Sequence, residues 1–123
     1  MSQSKLETHR VVTLLLQDAL PTLGERARGE VLRLAANYGD LAEVWMDNGQ
    51  SLEEAQRSLE CAVVDGLQEA AHDLFWDTTW PACPRHVRHP LWYDDARQAW
   101  CCQQDPTIVA PLGRLADLYP PAT

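Results

Sequence analysis

Residues 30–50 read EVLRLAANYGDLAEVWMDNGQ, and the reading of this stretch decides the fold. Two apolar runs flank Asn37-Tyr38-Gly39-Asp40, and the segment closes on Asp47-Asn48-Gly49; both are turn signals. Val31, Leu32 and Leu34 before the first turn, and Val44, Trp45 and Met46 after it, suit strands. A helical register also runs through the segment, with Ala27, Val31, Leu34, Tyr38, Leu41 and Trp45 at steps of three and four. Glycines at 29, 39 and 49 tip the reading towards a β-hairpin, with strands near 30–36 and 41–47.

Helices are expected on either side. Residues 4–20 carry Leu6, Val11, Leu14, Leu15, Ala19 and Leu20 on one broad apolar face, and Pro21 is expected to end that helix. Residues 51–76 hold the clearest element. Ser51 is a good N-cap, and Glu54 three positions on completes a capping box. Leu52, Ala55, Leu59, Ala62, Val63, Leu67, Ala70 and Leu74 then mark one amphipathic helix of about seven turns. Its opposite face carries Glu53, Arg57, Glu60, Gln68, Glu69 and Asp73.

Length and charge narrow the function classes. A chain of 123 residues fits one compact domain, divided here into a helix-and-hairpin core over 1–77 and a small element over 78–123. The formal charge is −8, and residues 51–80 hold seven acidic groups against one basic. Such a chain is a poor ligand for nucleic acid or an anionic membrane, since both need Lys and Arg. A basic protein partner fits the charge; solubilising surface is the plainer reading. The apolar run Val11–Leu16 is too short to span a membrane and has no convincing cleavage region behind it. The expected location is the cytoplasm, where clustered cysteines suggest metal ligands or free thiols before disulfides.

The cysteines cluster beyond residue 80. Prolines at 81, 84 and 90 forbid a long helix there, and short strands are expected at 91–93, 99–102 and 107–110. Cys83 and His86 form a C-x2-H pair, and Cys101-Cys102 follow fifteen residues later, at the ligand-pair spacing of a zinc ribbon. Zinc takes four tetrahedral ligands from thiolate, imidazole or carboxylate. Cys83, His86 and Cys102 supply three; Asp105, His89 and Cys101 are the candidates for the fourth. Adjacent residues in an extended chain point to opposite faces, which disfavours Cys101 and Cys102 binding together.

Two other readings compete with the metal. Trp76, Trp80, Trp92 and Trp100 can build an aromatic core around Cys83 and Cys102 with no ion. A Cys83–His86 nucleophile pair needs a lowered thiol pKa, and the sequence offers no oxyanion arrangement beside it. Cys61 and His72 are eleven helical residues apart, about 16 Å, too far to share a proton. Asp94-Asp95 reads as a solvated turn.

The pattern W-P-x-C-P-x-H, H-P-L, W-x-C and V-A-P-L-G-x-L, from Trp80 to Leu115, resembles one found in small actinobacterial proteins. It covers roughly the last third of the chain. The resemblance implies a zinc-ribbon-like element and no particular activity. Where such proteins often continue C-P at the second knuckle, this chain has Cys102-Gln103.

Together these readings give an α+β fold. The first helix and the hairpin pack on the long helix, and a zinc-ribbon-like element folds back over it. The leading functional expectation is a small acidic protein-interaction or adaptor module with a structural zinc, partnered by another protein or by a second copy in a homodimer. The alternative is a small metal- or thiol-dependent enzyme using Cys83, His86 and Cys102. Nucleic-acid binding would rest on Arg85, Arg88, Arg97 and Arg114 alone, and is not expected.

Overall fold

The computed structural model describes residues 6–74, 79–86 and 89–119. Helices α1 (Thr8–Leu23), α2 (Arg26–Asp47) and α3 (Leu52–Glu69) come first, and α3 runs into a π-helical turn, Ala70–Leu74. Strands β1 (Trp92–Asp94), β2 (Ala99–Cys101) and β3 (Val109–Pro111) follow, then a 3-10 turn, Leu115–Leu118. The fold is α+β, but its strands all lie in the C-terminal part.

The expected hairpin over 30–47 is absent, because the segment is the single helix α2. Ala27, Val31, Leu34, Ala35 and Ala42 are buried, at helical spacing. A strand would have set Arg33 on the same face as Val31 and Ala35. Gly39, read as a turn residue, is a contact point: a Cβ there would lie 3.1 Å from Thr8 Cγ2. Gly49 ends the segment as expected, with φ +112 just beyond α2.

Helix α2 packs against both α1 and α3. At Gly66 of α3 the Leu34 side chain sits where a Cβ would be, 2.8 Å from its Cδ2. Pro21 does not stop α1; it lies inside the last turn, and the helix closes where the Gly24 N–H donates to Leu20 O. So near the end of a helix, proline removes one bond and breaks nothing downstream. The Ser51–Glu54 capping box opens α3 as expected, with Glu54 N–H on Ser51 Oγ at 3.1 Å and Ser51 N–H on Glu54 Oε1 at 3.3 Å. Residues 75 and 76 of the expected long helix, Trp76 among them, lie outside the described residues.

The sheet is antiparallel in the order β1-β2-β3. Tyr93, Trp100 and Ala110 stand opposite one another in the register, and all three are buried. Trp80 and Tyr93 meet Trp100 edge-on, with ring centroids 5.4 and 5.8 Å away. This is part of the expected aromatic core, although Trp92 points outward and is 43% exposed.

The C-terminal element is fastened to the helices by buried polar groups. Asp18 of α1 is 3% exposed and accepts from Trp100 Nε1 (2.7 Å), Gly113 N–H (2.8 Å) and Leu115 N–H (2.9 Å). Burial raises its pKa against the opposing pull of those three bonds. Glu60, expected on the solvated face of α3, is instead buried, and its carboxylate accepts from Gln98 Nε2 at 3.2 Å. Gln68 of the same face donates to Leu91 O at 2.8 Å. The C-terminal element therefore covers part of the polar side of α3, which the apolar period alone assigns to water.

Candidate metal centre

Two short loops carry the candidate ligands, and their backbones are bonded alike. In the first, Cys83 N–H donates to His89 O (3.1 Å) and His89 N–H donates to His86 O (2.8 Å). In the second, Cys102 N–H donates to Ile108 O (3.1 Å) and Ile108 N–H donates to Asp105 O (3.1 Å). Each loop thus closes between its cysteine and the residue six later, which bonds back to the residue three after the cysteine.

The two loops meet through Cys83, His86 and Cys102, whose ligand atoms all lie within 4.8 Å of one another. His86 Nδ1 is 3.4 Å from Cys83 Sγ and 3.6 Å from Cys102 Sγ. A tetrahedral ion with ordinary Zn–S and Zn–N bonds sets such sulfur–nitrogen edges at about 3.6 Å. The three side chains therefore form a group that could hold a metal ion. Both sulfurs are buried and His86 is half-buried. The backbone N–H of Gln104 reaches Cys102 Sγ at 3.4 Å. Burial opposes the Cys102 thiolate, yet the Gln104 and Asp105 N–H groups and the Cys83 thiol bring its pKa below the ordinary thiol value.

The three candidates for a fourth ligand fall in different places. Cys101 is buried across the strand, its Sγ on Ala99 O at 3.8 Å, with burial raising its pKa. That is the separation from Cys102 expected of neighbours in a strand. His89 is exposed, with its ring centroid 6.4 Å from that of His86. Asp105 holds the loop position that matches His86. Its Oδ1 accepts from Thr107 N–H (2.9 Å) and Thr107 Oγ1 (2.6 Å), and its Oδ2 accepts from Arg85 Nη1 (3.3 Å). The Thr107 bonds first, then Arg85 and His86, hold its carboxyl below the usual carboxylate range.

The remaining candidates resolve simply. Cys61 is a packed thiol beside Asp65, 3.5 Å from its Oδ2. Asp94 makes a turn, accepting from Ala96 N–H at 3.0 Å and pairing with Arg97 at 3.2 Å. Arg85 pairs with Asp105 and Arg114 with Asp117, while Arg88 lies outside the described residues. Among the described residues, no helix is long and apolar enough to cross a membrane. Sequence reasoning passed over Asp18, Arg85 and Thr107 as site or tether residues. Asp18 left a signal, as the acid seven positions after Val11 and three after Leu15 on an apolar helix face.

No family model matches the chain, and neither a curated protein nor a solved structure is significantly similar to it.

Proposed function

We propose that this chain is a small acidic protein-interaction module whose C-terminal element is stapled by a structural zinc ion on Cys83, His86 and Cys102. One observation carries the reading: two loops of the same backbone design bring both thiols to about the sulfur–nitrogen edge of a tetrahedral zinc from one imidazole. Two thiolates and an imidazole form a borderline-soft donor set, which suits zinc better than magnesium or calcium. A staple also suits an element of three three-residue strands, too small to stand on hydrophobic burial alone.

The interaction surface is argued from what stays exposed. Trp92 and Val109, 43% and 39% exposed, flank Cys101 in one row of the sheet. Trp92 also borders a depression with Gln68, Glu69, His72, Pro90 and Leu91, in which the one carboxylate, Glu69, stands over an apolar floor. That chemistry fits a segment carrying both basic and apolar side chains.

The test is elemental analysis of the purified protein beside Cys83→Ser and Cys102→Ser, with thermal unfolding of each. One zinc per chain, lost in both variants together with much of the stability, is the expected result. No zinc in protein made with added zinc overturns the reading. A metal-dependent enzyme is the second reading, favoured by the convergence of only three ligand atoms. It requires zinc to be retained with an exchangeable water and to contribute little to stability.

A further inference from the structure

We infer that Asp105 is the fourth ligand of this site, and that Arg85 is the cation that occupies its free oxygen when no metal is bound. The assignment rests on the metal reading above: Asp105 stands outside the converging group of Cys83, His86 and Cys102 and joins it on release from Arg85, which closes the coordination set and makes Arg85 a competitor.

Position in the loop singles out Asp105. The paired bonds, Cys83 N–H to His89 O with His89 N–H to His86 O, and Cys102 N–H to Ile108 O with Ile108 N–H to Asp105 O, put these positions of the two loops in correspondence. In that correspondence Cys102 matches Cys83 and Asp105 matches His86. The partner of His89 is Ile108, a buried apolar residue, so position six of each loop works through its backbone. The first loop delivers ligands from positions zero and three, and the same two positions of the second loop hold Cys102 and Asp105.

The two carboxylate oxygens of Asp105 also divide their labour. Oδ1 takes both Thr107 donors, the fixed support that ligating carboxylates usually have. Oδ2 is left to Arg85, whose side chain is 73% exposed and whose 3.3 Å contact is long for a charged pair. Of the two oxygens, Oδ2 is the one that can be released at little expense, since exposed ion pairs are weak. The other candidates lack this preparation: Cys101 lies across the strand, and His89 is exposed.

Arg85 is thus a competitor rather than a support. Metal and guanidinium bind the same oxygen, so weakening one strengthens the other. Loading the site releases Arg85 to solvent and changes the local charge beside the metal loop.

The experiment titrates cobalt(II) and zinc(II) into the metal-free full chain, with Asp105→Asn, Arg85→Ala and His89→Ala beside wild type. Affinity and the visible cobalt bands are both read. Asp105→Asn is expected to weaken binding by about tenfold or more and to shift the cobalt bands. Arg85→Ala, which keeps the carboxylate, is expected to tighten binding about two- to fivefold. His89→Ala is expected to match wild type. Wild-type affinity and spectrum in Asp105→Asn would overturn the inference while leaving the three-ligand site standing. Weaker binding in Arg85→Ala, or the loss of the fourth ligand's signature in His89→Ala, would overturn it too. Absence of binding in wild type would sink the metal reading itself. Should Asp105→Asn fail to fold, Asp105→Ser takes its place, and wild-type affinity and cobalt bands in that variant would overturn the inference.

Discussion

Asp18 and Trp100 are 82 residues apart in the chain and joined by a 2.7 Å hydrogen bond in the core. The same carboxylate holds the amides of Gly113 and Leu115, so one side chain ties α1 to the sheet and to the turn after it. Asp18→Ala leaves three donors without an acceptor, two of them buried and that of Gly113 half-buried, and is expected to destabilise the fold by about 3 kcal/mol. Asp18→Asn should fall between, because its amide nitrogen must face another donor. Urea unfolding followed by tryptophan fluorescence measures both. A loss under about 0.5 kcal/mol for Asp18→Ala would show that the tether is dispensable.

Gly29 tests the helical reading of α2 directly. It sits inside the helix, and a Cβ added there would meet nothing within 4 Å. Gly29→Ala should therefore stabilise the protein by about 0.5–1 kcal/mol through helix propensity. A loop residue ahead of a strand at 30–36, where the hairpin reading puts Gly29, would gain nothing from helix propensity. Thermal unfolding of the two proteins separates the cases.

Gly113 makes the reverse prediction. Its φ is +92, and an added Cβ would lie 2.8 Å from Leu14 Cδ2 and 3.0 Å from Gln17 Oε1. Its N–H also binds Asp18. Gly113→Ala should destabilise by about 1–3 kcal/mol, read from the shift in urea midpoint at constant slope.

The Cys61 thiol gives the alkaline limb of stability. Burial, then the charge of Asp65, push its pKa up to about 11 from 9.0. A folded pKa above the unfolded one means that the neutral thiol favours the folded state. That contribution is complete below pH 9 and is withdrawn as pH rises towards 11. Cys61→Ala should flatten this part of the stability profile relative to wild type. At about pH 8 the wild-type Cys61 should alkylate more slowly than free cysteine, as peptide mapping after iodoacetamide would show.

The sequence made some of this architecture legible and hid the rest for identifiable reasons. Ser51 and Glu54 announce α3 because a capping box is a local device, complete within four residues. The strands expected at 91–93, 99–102 and 107–110 fall on β1, β2 and β3, since prolines and turn residues bracket short β-rich runs. Residues 30–47 misled because Gly39 has two meanings. It breaks structure when solvent surrounds it, but here it clears space for Thr8, and only the packed fold shows that. Glu60 misled in the same way, since helical period reports one apolar face and cannot see a second element settling on the other. At the candidate site, ligand spacing picked out Cys83, His86 and Cys102. The match of Asp105 with His86 is legible as C-x2-D beside C-x2-H, and the backbone bonds within each loop repeat it.

Those two loops share their main-chain bonds, and the second also leans on its third-step side chain, since Asp105 Oδ1 holds both donors of Thr107. Imidazole at 86 and carboxylate at 105 are two occupants of one kind of socket. On the proposed metal reading, Asp105→His would soften the donor set and give up the Thr107 bonds that Oδ1 accepts. One position would then trade metal preference against the hold on its own loop, while the carbonyls and amides beneath it stay as they are.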